Sequence, residues 1–318
     1  MPNIDKNSGI IYENTVKRNT AGMSQYDQLV KAGEVIPYHD GRPILGGSFV
    51  YLMNRFDKLF CCWAKEDLAK EITVPDFYHE EDLNQCKYLD QFHPQCVFAS
   101  CSQNDDLDSA HLHYTGYINN PAVCMHCYIL HKDTAINDDK LIRLTMKGRC
   151  KRQEVSGYHT LERLHDFTMR EIVFIGSEIQ IIEKRDEYLK KAEDFISTLQ
   201  LEGNIKIAND PFFKKADAAK ILWELEHTPV AALQDTIAKQ PLLNRQKNTG
   251  NEIAVGSFNY HHTHFAAAYN IQLSNGQPAH SCCIAFGLER LTYTVVSQIG
   301  VQKALTILNE YLEAYGYA

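Results

Sequence analysis

Two separated stretches of the chain carry arginine, glutamate and aromatic residues at spacings that suit a negatively charged ligand. In the first, Arg152 and Glu154 precede a short loop, and Arg163 then stands four residues before an aromatic residue, Phe167. In the second, Gly287-Leu-Glu-Arg290 follows an apolar strand and begins a predicted helix, whose N-terminus favours phosphate. Since an arginine fork matches two phosphate oxygens and an aromatic ring can stack on adenine, these residues predict an ATP site.

Each residue of this predicted site has a role. Arg152 contacts the α-phosphate and stabilises the charge that develops when a carboxylate attacks phosphorus. Glu154 accepts a hydrogen bond from the adenine amino group or from an arriving amine, and Arg163 binds the γ-phosphate. Arg290 adds a further cation, and Glu252 is a predicted Mg²⁺ ligand.

Cysteines near two of the predicted strands indicate a second kind of chemistry. Cys124 and Cys127 form a Cys-x-x-Cys pair, whereas Cys282 and Cys283 are adjacent. Two cysteines and one glutamate would give Zn²⁺ three protein ligands and leave one position open for a substrate amine. Either Cys124 or Cys127 could be the ligand. Of Cys282 and Cys283 only one can reach a metal, because neighbouring side chains of a strand point to opposite faces. A buried or redox-active thiol pair is the simpler alternative for Cys-x-x-Cys.

The composition is that of a globular protein with a substantial core. The chain has 318 residues, of which 44% are hydrophobic and 23% are charged. Because no run of about 18 apolar residues and no apolar signal core are present, we expect a cytoplasmic protein without a membrane span. In such a protein the ten cysteines are reduced or bind metal. The net charge of −8 argues weakly against tRNA as the main partner.

The apolar patterns predict helices and short strands that position these residues. Residues 1–45 are polar and predicted to be irregular, which separates an N-terminal extension from a catalytic domain at 46–318. A helix from Phe49 to about Lys70 runs into a strand at 71–75 that ends at Pro75. The other predicted strands lie at 97–102, 112–119, 123–130, 141–147, 172–175, 221–225, 252–257, 265–273 and 282–286, and the other helices at 179–199, 288–299 and 301–315.

The two charged stretches resemble motifs 2 and 3 of class II aminoacyl-tRNA synthetases, and the helix with its proline-ended strand resembles motif 1. More specifically, residues from about 46 onward resemble the amino acid:carrier protein ligases, which are truncated homologues of the atypical zinc-dependent seryl-tRNA synthetases. The residues that carry this resemblance are Cys124, Glu171, 210–213, 257–261 and 279–290.

The resemblance implies an α+β fold, with a mostly antiparallel sheet flanked by helices, and a homodimer formed through motif 1. It implies that Cys124, Glu171 and Cys283 bind zinc. It also implies that the enzyme activates a small amino acid with Mg-ATP and transfers it to the phosphopantetheine thiol of a carrier protein. Two alternatives stay open: aminoacylation of tRNA or another small acceptor, and a non-catalytic regulatory subunit.

Overall fold

The helices lie mainly on the two faces of one large sheet. The computed structural model describes residues 10–15, 25–102, 111–154, 157–158, 160–207, 217–224 and 252–317, with the backbone alone at 217–224 and 252. Within these ranges the helices are α1 (Gln25–Lys31), α2 (Gly47–Glu66), α3 (Glu80–Gln85), α4 (Tyr88–Phe92), α5 (Met125–Leu130), α6 (Glu178–Thr198), α7 (His264–Ala268), α8 (Leu288–Ile299) and α9 (Val301–Ala314). None of the described helices combines the length and the apolar character needed to cross a membrane.

Eight strands form this sheet in the order β1-β11-β12-β13-β15-β10-β9-β4, antiparallel except for the parallel pair β4–β9. The smaller sheets are β5-β7-β6, β2-β3 and β14-β8. The strands are β1 (Ile10–Asn14), β2 (Val35–His39), β3 (Arg42–Leu45), β4 (Lys70–Glu71), β5 (Phe77–His79), β6 (Phe98–Ser102), β7 (Leu112–Asn119), β8 (Ala135–Ile136), β9 (Ile142–Lys151), β10 (Asp166–Gly176), β11 (Gly203–Ile207), β12 (Asp217–Glu224), β13 (Glu252–His262), β14 (Gln272–Leu273) and β15 (His280–Gly287).

The large sheet separates two hydrophobic cores, and the strand alternation assigns each side chain to one of them. Ile172 and Phe174 of β10 pack into the core that contains α2, α6, α8 and α9, which we call the helix-side core. Val173 and Ile175 pack into the opposite core, which contains α5 and α7 and which we call the site-side core. The mostly antiparallel sheet with helices on both faces confirms the predicted α+β fold.

Two predicted strands are helices. Residues 123–130 contain α5, and residues 265–273 contain most of α7 followed by the two-residue β14. Both are short apolar runs, and periodicity does not distinguish a buried strand from a buried helix of this length. Met125 and Tyr128 are fully buried, so the run lacks the polar face that would have revealed its helical period.

The predicted motif 1 helix is present, although it ends at Glu66. Leu68 adopts a left-handed conformation with φ of 58°, which stops the helix before Lys70. The strand that follows is limited to Lys70 and Glu71, and it pairs with β9.

The first 45 residues contain regular structure, contrary to the predicted irregular chain. Besides α1 and the β2-β3 hairpin, they supply β1, which pairs with β11 at one edge of the large sheet. The boundary between residues 45 and 46 stays a prediction.

Candidate functional site

Strand β10 places the predicted nucleotide and metal residues on one face of the sheet. Phe167 and Glu171 are four residues apart, so both side chains point toward the site-side core. Glu171 pairs with Ala285 of β15, and Val173 pairs with Cys283. Cys283 is therefore two residues along β15 from the partner of Glu171, and its side chain lies on the same face of the sheet.

The structure brings Cys124, Glu171 and Cys283 together. One potential ligand atom from each residue lies within 4.8 Å of the other two, and all three residues are buried. The Cys283 thiol donates a hydrogen bond to Glu171 Oε2 over 3.3 Å. Backbone N–H groups donate to the same carboxylate, from Val123 to Oε1 over 3.1 Å and from Cys124 to Oε2 over 3.0 Å.

The geometry also distinguishes the two members of each cysteine pair. The Cys127 thiol contacts the sulfur of Met146 at 3.7 Å. Cys282 lies in the helix-side core, whereas Cys283 lies in the site-side core. Cys124 and Cys283, the two cysteines that the family resemblance favours, are thus the two that approach Glu171.

This donor set fits a zinc ion. Glu171 is a carboxylate with 1% exposure, and among the described residues no lysine, arginine or histidine lies within 4.0 Å of it. Although contact with Cys283 lowers it, burial and the Glu171 carboxylate raise the pKa of the Cys124 thiol to about 11. A buried acid without a direct ion-pair partner, together with two thiols, is a group that a divalent metal would neutralise, with release of the thiol protons.

Arg152 lies over the aromatic ring that β10 provides. Its guanidinium carbon is 5.3 Å from the centroid of the Phe167 ring, in a cation–π contact. Its Nε donates to the carbonyl of Pro121 over 2.7 Å, and its backbone N–H donates to His165. The guanidinium is therefore held in one place by a ring and a backbone carbonyl.

Two further arginines lie near Arg152. Arg163 forms a 3.8 Å ion pair with Glu154, and Arg290 donates to the carbonyl of Ala254 over 3.0 Å. Burial, together with the neighbouring Arg163 and Arg152, lowers the pKa of Arg290 to about 10 against the opposing effect of Glu154. A smaller opposing effect comes from Glu162. The three guanidinium groups exceed the two carboxylates in charge, which favours a polyanionic ligand.

Two predicted elements lie outside the described residues. The side chain of Glu252, the predicted Mg²⁺ ligand, is not among them, although its backbone begins β13. Residues 210–213, which contribute to the family resemblance, also fall outside them.

Glu289, the glutamate of motif 3, has a structural role that the sequence did not predict. Glu289 is 2% exposed and accepts hydrogen bonds from the backbone and hydroxyl of Thr168, over 2.7 and 2.8 Å. Arg149 donates to the same carboxylate over 3.2 Å. These contacts connect the start of α8 to β10, one residue from Phe167. A glutamate beside the predicted phosphate-binding Arg290 was the available signal, but its partners are more than 100 residues away.

A family model for the tRNA synthetase class II core domain (G, H, P, S and T) matches residues 111–299, which is more than half of the chain. The chain belongs to this class II family. Among its curated relatives are amino acid–[acyl-carrier-protein] ligases 1 and 2 of Bradyrhizobium diazoefficiens, at 31% identity over 171 residues and 34% over 157 residues. These matches cover 54% and 49% of this chain and 49% and 43% of the relatives, so the chain spans about half their length or less.

Other class II proteins are similar to the chain in sequence or in fold. The type-2 serine–tRNA ligase of Methanocaldococcus jannaschii is 30% identical over 190 residues, which is 58% of this chain and 35% of that protein. The structure of M. kandleri SerRS, solved with A. aeolicus tRNASec, superposes with a TM-score of 0.77 at 19% identity. It covers 96% of this chain and 63% of that one. At this identity the superposition shows a shared class II fold.

Proposed function

We propose that the protein is an ATP-dependent ligase that activates a small amino acid and transfers it to the phosphopantetheine thiol of a carrier protein. In the first step, a carboxylate oxygen of the amino acid attacks the α-phosphorus of Mg-ATP, and pyrophosphate leaves. In the second step, the phosphopantetheine thiolate attacks the carbonyl carbon of the aminoacyl adenylate. A thioester forms and AMP leaves with the electron pair of the broken C–O bond.

The observation that carries this proposal is the placement of two donor sets on one strand face. Phe167 and Arg152 lie at one end, and Glu171 lies four residues further along β10 with Cys124 and Cys283. Four residues of a strand span about 13 Å, which is the scale of an aminoacyl adenylate from its base to its amine. One extended ligand can therefore contact both sets.

In this proposal, Cys124, Glu171 and Cys283 hold a zinc ion. A zinc ion held there would supply a Lewis acid for the neutral α-amine of the substrate and would disfavour acids that lack an amine. The chain's own groups then orient the carboxylate toward the nucleotide, since Arg152 lies beside Phe167 on the same face. Arg290 and Arg163 bind the phosphates, for which they supply positive charge. A small amino acid is proposed because an amine bound to zinc leaves limited room for its side chain.

The choice of acceptor rests on two supports. The Bradyrhizobium diazoefficiens relatives are named as acyl-carrier-protein ligases and have 31% and 34% identity in their matched regions. The net charge of −8 is unfavourable for a long polyanion such as tRNA. The similarity to a type-2 serine–tRNA ligase argues for tRNA instead. The experiment therefore has to compare tRNA with a carrier protein as acceptor.

We also propose a homodimer in which α2 and β4 contribute to the interface. The support is the match of this helix and its following strand to motif 1. Sedimentation equilibrium at micromolar concentration tests it, and a mass equal to the 36.3 kDa monomer would contradict it.

The function is tested by amino-acid-dependent ATP–pyrophosphate exchange with each of the twenty amino acids, with zinc content determined on the same sample. We expect exchange with one or two small amino acids and its loss when zinc is removed. A second assay then offers phosphopantetheinylated carrier protein, tRNA and a free thiol to the adenylate. If label is transferred to tRNA alone, tRNA and not the carrier protein is the acceptor. Absence of exchange despite bound zinc would favour the non-catalytic alternative.

A further inference from the structure

One turn connects the nucleotide residues to the metal residues. It comprises residues 120–124, and we call it the cysteine turn. At its first end, the carbonyl of Asn120 accepts a hydrogen bond from the Lys151 backbone over 2.8 Å, and the carbonyl of Pro121 accepts from Arg152 Nε over 2.7 Å. At its other end, the N–H groups of Val123 and Cys124 donate to Glu171. The position of the Cys124 thiol therefore depends on how this turn is held.

Tyr78 of β5 bridges the cysteine turn to the start of α5. Its hydroxyl donates to the carbonyl of Ala122 over 2.9 Å and accepts from the backbone N–H of His126 over 3.1 Å. These two groups lie on either side of Cys124. The same His126 N–H makes a longer bond of 3.3 Å to the carbonyl of Val123. The tyrosine is 1% exposed, so no bulk water is present to replace either bond if the hydroxyl is removed.

The ring of Tyr78 makes a second set of contacts. It stacks on the His126 imidazole with centroids 3.9 Å apart and an angle of 14° between the planes. The imidazole Nε2 lies 3.2 Å from Oδ1 of Asn120, whose own amide donates to the carbonyl of Pro75 over 2.7 Å. The tyrosine thus holds both ends of the cysteine turn, one through its hydroxyl and one through the stacked histidine.

The cysteine turn also packs against strand β9 of the large sheet. Gly148 of β9 has no side chain at the position where Val123 rests, and a Cβ atom built there would lie 2.7 Å from Val123 Cγ1. The cysteine turn is therefore held between the sheet and Tyr78.

We propose that Tyr78 is a positioning residue whose hydroxyl fixes the cysteine turn so that Cys124 meets Glu171 and Cys283. The inference rests on the proposed function, in which the Cys124 thiol is a zinc ligand. The nucleotide end of the turn keeps its bonds to Lys151 and Arg152 when the hydroxyl is removed. The metal end is the one that loosens.

The test compares Tyr78→Phe with Tyr188→Phe. Tyr188 is a matched control, because it is fully buried in the helix-side core and its hydroxyl also donates to a backbone carbonyl, that of Trp63, over 3.0 Å. We expect Tyr78→Phe to raise the zinc dissociation constant, measured by competition with a chromophoric chelator, by about 10- to 100-fold. The KM for the amino acid rises in parallel, while the KM for ATP stays within about twofold. Tyr188→Phe leaves all three values unchanged.

A readout that does not need the metal separates this inference from the proposed function. Amide hydrogen exchange of the metal-free proteins is followed in the peptide that contains residues 121–127. Tyr78→Phe is expected to speed exchange of this peptide by about tenfold relative to peptides of β10, because the His126 N–H keeps only its 3.3 Å bond to Val123 and the carbonyl of Ala122 loses its partner hydroxyl. Wild-type exchange in this peptide, or a zinc dissociation constant within about twofold of wild type, would overturn the inference. A wild-type protein that binds no zinc would instead contradict the zinc proposal, and the exchange result would still decide the role of Tyr78.

Discussion

Arg170 and Glu171 are neighbours on β10 and point to opposite faces of the sheet. Arg170 forms ion pairs with carboxylates, whereas Glu171 forms no ion pair with a described residue. Arg170 is 2% exposed and points to the helix-side core. There it forms ion pairs with Asp57 of α2 at 2.7 Å and with Glu71 of β4 at 3.0 Å. Glu171 points to the site-side core, where N–H groups and thiols surround it and where no described lysine, arginine or histidine lies within 4.0 Å. Arg152 interacts with it electrostatically without forming an ion pair.

The difference separates a charge that the chain itself neutralises from one that, in our proposal, a bound metal ion neutralises. On the helix side, the chain itself supplies the counter-charges, and Lys147 completes the group by pairing with Asp57 at 2.9 Å. On the site side, no described residue forms an ion pair with Glu171. Because a buried charge without a counter-ion is costly, the site-side group favours a cation taken from solution.

Removal of one proposed zinc ligand should have the largest effect. Cys283→Ser is expected to abolish stoichiometric zinc binding and to lower the rate of ATP–pyrophosphate exchange by about a thousandfold, as expected for loss of Lewis-acid binding of the amine. Cys282→Ser is the matched control, since Cys282 is the adjacent buried thiol on the opposite face of β15. Elemental analysis and exchange assays on both variants measure the effect. Full activity in a metal-free Cys283→Ser protein would remove zinc from the mechanism.

A substitution on the helix-side face should lower the stability of the protein without changing its zinc content. Asp57→Asn leaves Arg170 buried with a weaker counter-charge, and we expect it to lower the free energy of unfolding by about 3 kcal/mol at pH 7. Zinc content should be unchanged. Urea unfolding and elemental analysis check this pair of results, and loss of zinc in Asp57→Asn would show that the two faces are coupled.

The same variant has a predicted pH dependence. Burial alone would raise the pKa of Asp57, but Arg170 and Lys147 lower it below its ordinary value. A carboxyl group with a lowered pKa in the folded state stabilises fully above its unfolded pKa of about 4, and this contribution is lost as pH falls through the folded value. The stability difference between wild type and Asp57→Asn should therefore shrink below about pH 4. A constant difference down to pH 2.5 would argue against the ionic origin of the effect.

Arg290→Ala tests the nucleotide half of the site-side face. Loss of one charge that stabilises the transition state should lower kcat for adenylation by about a hundredfold, with zinc content unchanged. Arg143→Ala is the control, because Arg143 also donates to a backbone carbonyl, that of Leu141, over 3.1 Å but lies outside the site. Equal rates for the two variants would exclude Arg290 from phosphate binding.

Phe167→Leu should have the smallest effect. It keeps an apolar side chain but removes the ring that lies under Arg152, so the KM for ATP is expected to rise about tenfold, as for loss of one aromatic stacking contact. The KM for the amino acid should change little. Steady-state exchange kinetics with each substrate varied in turn distinguish the two constants. An increase in the KM for the amino acid alone would show that the ring contacts the amino acid and not the nucleotide.

The sequence predicted best where local pattern and tertiary context agree. Helix α8 begins and ends as predicted, because Gly287 and Gly300 flank a regular apolar period. Cys124, Glu171 and Cys283 were selected through the family resemblance, and the structure brings them within 4.8 Å, although their role as ligands stays a prediction.

What the sequence did not predict depends on contacts between distant residues. The turn before α5 is held by Tyr78, which is 44 residues from its partner Ala122, and by Glu171, which is 47 residues from its partner Cys124. Without those contacts, the apolar run after Val123 has the composition of a strand. The partners of Arg170 and Glu289 were missed for the same reason, since no local spacing relates them to Asp57 or Thr168.

The pairing of β1 with β11 has a consequence for any shortened version of the chain. β1 is the outermost strand at one edge of the eight-stranded sheet, and Asn14 donates a further hydrogen bond to the carbonyl of Leu201 over 2.7 Å. A protein that began at residue 46 would expose the unpaired N–H and C=O groups of β11 beside Ile205 and Ile207. An open edge of this kind recruits strands from other molecules. Since β1 is itself the outermost strand, its removal moves the edge of the sheet to β11, whose Ile205 is buried in the intact protein. We therefore expect residues 10–14 to lower the tendency of the protein to aggregate, although the family resemblance begins only after them.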